Sequence, residues 1–259
     1  MTPTVVAHRG FAGVNPENTV AAVRAAADRA DSVEIDVVAC ADGTPVVFHD
    51  ARLDSGGHRS SSGRPQAAAG KSRGITDGTG AIRDLPPETV TAATVRGSGE
   101  PIPTLDRLLD ATSVPLDVEL KRPASAVVRR GVVPTADRAA ARDRWQPFVN
   151  RVCDALDADG REARLSSFCE GALAAVREYT STRPLAPLCR DLTVGRELAA
   201  RYDADAIHPS LTAVREAASV PRERTVNVWT IRTWFEARAA VDAGADGLIA
   251  DYPGLTQWL

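Results

Sequence analysis

Four short polar clusters interrupt apolar runs of this chain and carry side chains able to do chemistry: His8-Arg9-Gly10, Glu34-Ile35-Asp36, His49-Asp50 and Glu119-Leu120-Lys121. Side chains alternate between faces in an extended chain, so Glu34 shares a face with Asp36, and Glu119 with Lys121. Brought to one place, Glu34, Asp36 and Glu119 would repel strongly unless a cation neutralised them. An all-oxygen donor set points to one divalent cation, Mg²⁺ or Ca²⁺ with Mn²⁺ also fitting, and away from zinc, because no Cys or His set has zinc-like spacing. His8 and His49 can exchange protons near neutral pH. Arg9 and Lys121 supply positive charge suited to a phosphate group. Lys121 gains weight from scarcity, since Lys71 is the other lysine of the chain. Together these groups describe phosphoryl transfer to an oxygen nucleophile.

The elements that must position them are short β-type runs alternating with Ala-rich helical stretches. Strand candidates are Val5–Ala7, Val33–Val38, Val46–Phe48, Leu116–Leu120, Arg164–Ser167, Leu185–Leu188, Ala204–Ile207, Val226–Trp229 and Gly247–Ala250. Helical stretches are expected near Asn18–Arg29 and at Val149–Asp157, Gly171–Tyr179, Gly195–Tyr202, Leu211–Ala218 and Trp234–Ala243. The turn Ala41-Asp42-Gly43 leaves too few residues for a parallel crossover, so the third run is a hairpin strand. Eight βα-type strands plus one hairpin strand fit an α/β fold of the (β/α)₈ TIM-barrel type, in which strand ends converge on one catalytic mouth. A doubly wound open sheet lacks its expected G-x-G-x-x-G after the first strand. Residues Asp54–Pro101, rich in Gly, Ser, Thr and Pro, show little periodicity and read as an inserted, partly mobile loop region beside the active face. The expected organisation is a single domain over residues 1–259.

Composition narrows the class. A net charge of -3 and a pI near 5.9 argue against nucleic acid as a partner. Apolar stretches fall short of the ~20 residues that span a bilayer. The N-terminus lacks a basic n-region followed by an apolar h-region, so a cytoplasmic protein without stable membrane insertion is expected. Cys40, Cys153, Cys169 and Cys189 are scattered and read as reduced core thiols. Asp50 reads as a turn or helix cap in preference to a catalytic group, and Pro16-Glu17-Asn18-Thr19 as the start of the first helix, with a structural role favoured for Glu17 over a reach into the pocket. His58 and Lys71 read as loop residues, while His208 either lines the mouth or packs. Trp145, Trp234 and Trp258 read as core or interface packing.

The ordered motifs resemble those of the glycerophosphodiester phosphodiesterase family, in the superfamily of phospholipase-C-like phosphodiesterases. They run His8-Arg9-Gly10, Pro16-Glu17-Asn18-Thr19, Val33-Glu34-Ile35-Asp36, Asp42-Gly43, Val47-Phe48-His49-Asp50, Pro103-Thr104-Leu105, Glu119-Leu120-Lys121, Ser167-Phe168, Trp229-Thr230 and Gly244-Ala245-Asp246-Gly247-Leu248-Ile249-Ala250-Asp251-Tyr252-Pro253. The resemblance implies a TIM-type barrel that hydrolyses small-molecule glycerophosphodiesters to glycerol phosphate and an alcohol. It implies Glu34, Asp36 and Glu119 as ligands of one divalent cation, and His8 and His49 as the acid/base pair. It further implies phosphate contacts from Arg9 and Lys121, and an apolar wall from Trp229 against the glycerol. In the family's mechanism the glycerol hydroxyl attacks phosphorus, a cyclic phosphate forms, and water opens it. His49 is expected as the base and His8 as the acid, an order that the sequence itself leaves open. The stretch after Asp54 departs from the family pattern, which leaves substrate choice open between soluble diesters and lysophospholipid or sphingolipid. A barrel that binds phosphodiesters without turnover would show damage at these positions, and none is seen. A sugar isomerase or aldolase barrel would leave the two histidine motifs unexplained.

Overall fold

The computed structural model describes residues 2–54, 73–95, 97–124, 128–217 and 220–259. Readings made above for His58, Lys71 and the part of Asp54–Pro101 at residues 55–72 lie outside the described residues. Nine strands form one sheet: β1 (Thr4–His8), β2 (Ser32–Ala39), β3 (Pro45–Val47), β4 (Leu116–Arg122), β5 (Ala163–Ser167), β6 (Leu185–Cys189), β7 (Ala206–Pro209), β8 (Thr225–Ile231) and β9 (Gly247–Ala250). Their order is β1-β9-β8-β7-β6-β5-β4-β2-β3, and β1 also pairs with β2. That last pairing closes eight parallel strands into a barrel, while β3 pairs antiparallel with β2 on the outside of the closure. The fold is therefore the expected (β/α)₈ barrel with its hairpin strand.

The helices are α1 (Val20–Ala26), α2 (Pro87–Ala92), α3 (Leu105–Ala111), α4 (Arg138–Asp159), α5 (Glu170–Tyr179), α6 (Leu192–Arg201), α7 (Leu211–Glu216) and α8 (Trp234–Asp242). Side chains cap the N-termini of five: Thr19, Thr104, Asp191, Ser210 and Thr233 each accept a backbone N–H two or three residues on. These caps fix where each strand-to-helix loop ends. Burial drives the rest. Val33, Ile35 and Val37 of β2, Val118 and Leu120 of β4 and Ala172, Leu173 and Val176 of α5 are all buried in one continuous core.

Several features differ from the sequence expectation. Helix α4 begins eleven residues before Val149, because its first two turns carry Arg138, Arg142 and Arg144, which hide the apolar stripe of Trp145, Phe148 and Val149. Strand β7 lies two residues later than expected, ending on His208-Pro209. The described part of Asp54–Pro101 is folded: Ile82 and Val90 join Val38, Val46, Phe48 and Ile102 in a second, smaller core against β3. Helix α2 has six residues and starts on Pro87, too short a segment for helical periodicity to register.

Candidate active site

The first loop sets the site. After β1, Arg9, Gly10 and Phe11 all take positive φ, at 53°, 76° and 62°. A Cβ on Gly10 would stand 2.8 Å from Ala22, so glycine is required there. The fully buried Phe11 ring anchors this turn. The turn aims the Arg9 N–H at Glu34 Oε2, 2.9 Å away. In register, His8 of β1 lies beside Glu34 of β2, and Asp36 of β2 beside Glu119 of β4. Strand alternation then puts Lys121 on the same inward face as Glu119.

One oxygen each from Glu34, Asp36 and Glu119 lies within 4.8 Å of the others, and all three residues are buried. Lys121 Nζ stands 2.8 Å from Glu119 Oε1 and 3.2 Å from Asp36 Oδ1. Arg9 Nε is 2.9 Å from Asp36 Oδ2, which also accepts a 2.9 Å hydrogen bond from Asn18 Nδ2. Burial, then repulsion by Asp36, pushes Glu34 well above the ordinary carboxylate range; burial also raises Glu119. Burial works the same way on Asp36, but Lys121 and Arg9 outweigh it and hold that group well below the ordinary range. Asp36 Oδ1, although in ion-pair range of Lys121, accepts no hydrogen bond. A buried carboxylate oxygen without a donor, beside two carboxylates that repel it, is the donor set a hard divalent cation fits.

Each histidine is held by a carboxylate. His8 Nδ1 lies 2.5 Å from Asp251 Oδ1, and His49 Nδ1 lies 2.6 Å from Asp50 Oδ1. Burial lowers both histidine pKa values; the Asp251 hydrogen bond opposes this at His8, and the Asp36 charge does so at His49. Both Nε2 atoms are left for other work. Asp50 also accepts the Arg73 N–H at 2.8 Å. Burial would raise Asp50, yet the hydrogen bonds from His49 and Arg73 hold it at about 2. Its folded pKa is below the unfolded value, so this contribution to stability is full above pH ~4 and is lost as pH falls toward 2. Asp50→Asn should flatten the acid side of a urea-midpoint profile by on the order of 1–2 kcal/mol.

These groups open on a cavity of about 790 Å³ that also touches Phe168, Trp229 and Tyr252. Residues 8–255 match the model of the glycerophosphoryl diester phosphodiesterase family. The chain belongs to that family. A glycerophosphodiester phosphodiesterase of Caldanaerobacter subterraneus subsp. tengcongensis is 26% identical over 267 residues, covering 98% of this chain and 96% of the relative. An Oleispira antarctica phosphodiesterase, solved in complex with the product sn-glycerol-3-phosphate, superposes with a TM-score of 0.74 at 23% identity, covering 99% and 96% of the two chains. A glycerophosphodiester phosphodiesterase of Agrobacterium tumefaciens gives 0.67 at 18% identity, covering 99% and 100%.

Within this family member, all eight residues singled out from sequence, His8, Arg9, Glu34, Asp36, His49, Glu119, Lys121 and Trp229, meet at one barrel mouth. Sequence reasoning gave Asp251 no role, though it closes the ordered motif; it holds His8 and takes a 2.8 Å hydrogen bond from Arg232. Asp50, read as a cap, instead orients His49. Glu17, read as structural, lies in the mouth and bridges Arg9 and Arg73. Arg73 gave no sequence signal, because it follows a stretch without motif. His208 is fully buried below the mouth, 3.5 Å from Asp117, and burial depresses it to about 3. Trp145 is core as expected, but Trp234 and Trp258 are 54% and 72% exposed, so neither packs in the core of this chain.

Proposed function

We propose that this chain hydrolyses glycerophosphodiesters to glycerol phosphate and an alcohol, using His49 and His8 as base and acid beside one divalent cation. The observation that carries this reading is the pair of carboxylate-held histidines beside a buried cluster of three carboxylates. Glu34, Asp36 and Glu119 would hold the ion. When bound, such a cation polarises phosphoryl oxygen and makes a nearby hydroxyl more acidic.

The chain's own groups do the rest. His49, fixed by Asp50, takes the proton of the attacking glycerol hydroxyl at Nε2. His8, steadied by Asp251, gives a proton to the departing alcohol oxygen. One P–O bond forms and one breaks, giving a cyclic phosphate and the free alcohol. Water then opens the ring as the two histidines exchange roles, which restores both protonation states. Arg9 and Lys121, already turned toward Asp36, contact phosphate. Trp229, edge-to-face with Phe168 at 5.4 Å, forms the wall against the glycerol.

Cation binding should also stabilise the fold. At free cation about 100 times Kd the gain is about 2.7 kcal/mol, or roughly 5–10 °C in Tm for a chain of this size. Thermal unfolding with Mg²⁺, Mn²⁺ or Ca²⁺ against chelator checks this, and equal Tm values would contradict it.

We place the activity in one domain spanning residues 1–259 and in the cytoplasm. One closed barrel supports the first, and four free, buried cysteines support the second. No helix among the described residues is long and apolar enough to cross a membrane. A second reading, phospholipase-D-like action on a lysophospholipid or sphingolipid, draws on one observation. Trp234 and Phe235 are 54% and 62% exposed at the start of α8, just after the strand that carries Trp229. Comparing alcohol release from glycerophosphocholine and from lysophosphatidylcholine, cation-loaded, separates the two. The main reading requires faster release from the soluble diester; release from the lysolipid alone would replace it with the second.

A further inference from the structure

The carboxylates of the mouth crowd one side, on β2, β4 and the loops after β1, β3 and β9. The side formed by the ends of β5, β6 and β8 carries no acid in the cavity wall; it carries Phe168, Arg190 and Trp229. Six arginines line the cavity. Arg9, Arg73 and Arg232 are ion-paired to Asp36, Glu17 and Asp251 respectively. Arg122, Arg130 and Arg190 have no carboxylate in ion-pair range among the described residues.

These three are held without being neutralised. The Arg130 guanidinium lies 5.1 Å over the Phe168 ring, and the Arg190 guanidinium lies 5.1 Å over Trp229. The two rings meet edge-to-face at 5.4 Å, so the arginines are joined by one aromatic strip. Stacking on a ring face orients a guanidinium while leaving its in-plane N–H donors open. Arg122, at the end of β4, extends the strip: burial, then the like charge of Arg130, lowers its pKa from the ordinary value. Cations along one wall with no carboxylate in ion-pair range among the described residues offer a receptor for an anion. The reacting phosphate already has Arg9 and Lys121 on the other side of the mouth.

We infer that this arginine–aromatic strip selects glycerophosphodiesters that carry a second phosphate group. The inference rests on the proposed diesterase activity and names its substrate class. A planar guanidinium matches a phosphate bidentately, whereas a quaternary ammonium would meet three like charges. The reaction is unchanged: the P–O bond to the alcohol breaks, water supplies hydroxide to phosphorus and a proton to the alcohol, and the second phosphate stays intact.

The test compares kcat/KM of the cation-loaded enzyme, in free-cation buffer, on three diesters. They are glycerophosphoglycerol, glycerophosphocholine, and glycerophosphoglycerol phosphorylated on its terminal hydroxyl. The phosphorylated diester is expected to exceed the neutral one by about tenfold at low salt, and glycerophosphocholine to rank last. The margin should shrink as salt rises. In Arg130→Gln/Arg190→Gln the ratio of phosphorylated to neutral diester should fall toward one, and Arg190→Glu should move it in favour of choline. A wild-type ratio near one, or a ratio the double substitution leaves unchanged, overturns the inference while the diesterase reading stands. If no diester is cleaved, the diesterase reading falls, and binding of glycerol bisphosphate judges the strip alone. About tenfold weaker binding to the double variant supports the strip, and equal binding overturns it.

Discussion

Replacing His49 with alanine is expected to lower kcat by about 10²–10⁴-fold, the usual range for removing a general base. The fold should survive, because the ring sits at the cavity wall with 28% of its side chain exposed and leaves no buried void. Its loss frees Asp50, which keeps the Arg73 N–H as a partner. The structure therefore separates chemistry from stability at this position. Cation affinity should be little changed, since His49 contributes no oxygen to the carboxylate cluster. A variant that keeps its Tm and cation affinity but loses turnover fits a proton-transfer role. A variant that keeps its turnover removes His49 from the mechanism.

Glu119→Gln should have the second large effect, by a different route. It deletes one of three charges proposed to hold the cation, while Lys121 keeps Asp36 at 3.2 Å. Loss of a properly held ion removes several kcal/mol of transition-state stabilisation, about 10³-fold in rate. Stability in chelator should stay equal or rise. Burial raises the Glu119 pKa and outweighs the opposing Lys121 charge, with Asp36 adding to the rise, so the charge removed is one the metal-free chain holds at a net cost. That opposition between activity and metal-free stability is expected of a site built for a ligand. Turnover and chelator Tm measured on the same variant check both halves, and a fall in both would indicate a structural role instead.

The barrel was legible because its strands are short apolar runs bounded by turns, and because period-two alternation puts Glu34 with Asp36, and Glu119 with Lys121, on one face. The register that sets Asp36 beside Glu119 follows from β2 and β4 being neighbours in space. What escaped sequence reasoning were groups whose role depends on another element. Asp251 closes β9, yet its meaning comes from β1 lying next to it and presenting His8. Arg73 reaches Glu17 across 56 residues, a distance no local pattern carries. Helix α3 was missed although Thr104 and the spacing of Leu105, Leu108 and Leu109 signal it. The exposed Trp234 and Phe235 were out of reach for another reason: an aromatic residue at a helix start looks the same whether it packs or faces solvent.

The central claim, metal-dependent cleavage of a phosphodiester at this mouth, is tested most directly by ³¹P NMR of glycerophosphoethanolamine incubated with the full chain. With Mg²⁺, Mn²⁺ or Ca²⁺ present, the diester signal should give way to a phosphomonoester signal, and chelator should stop the conversion. A diester signal that persists with every cation, in folded protein shown by calorimetry to bind the ion, would contradict the account.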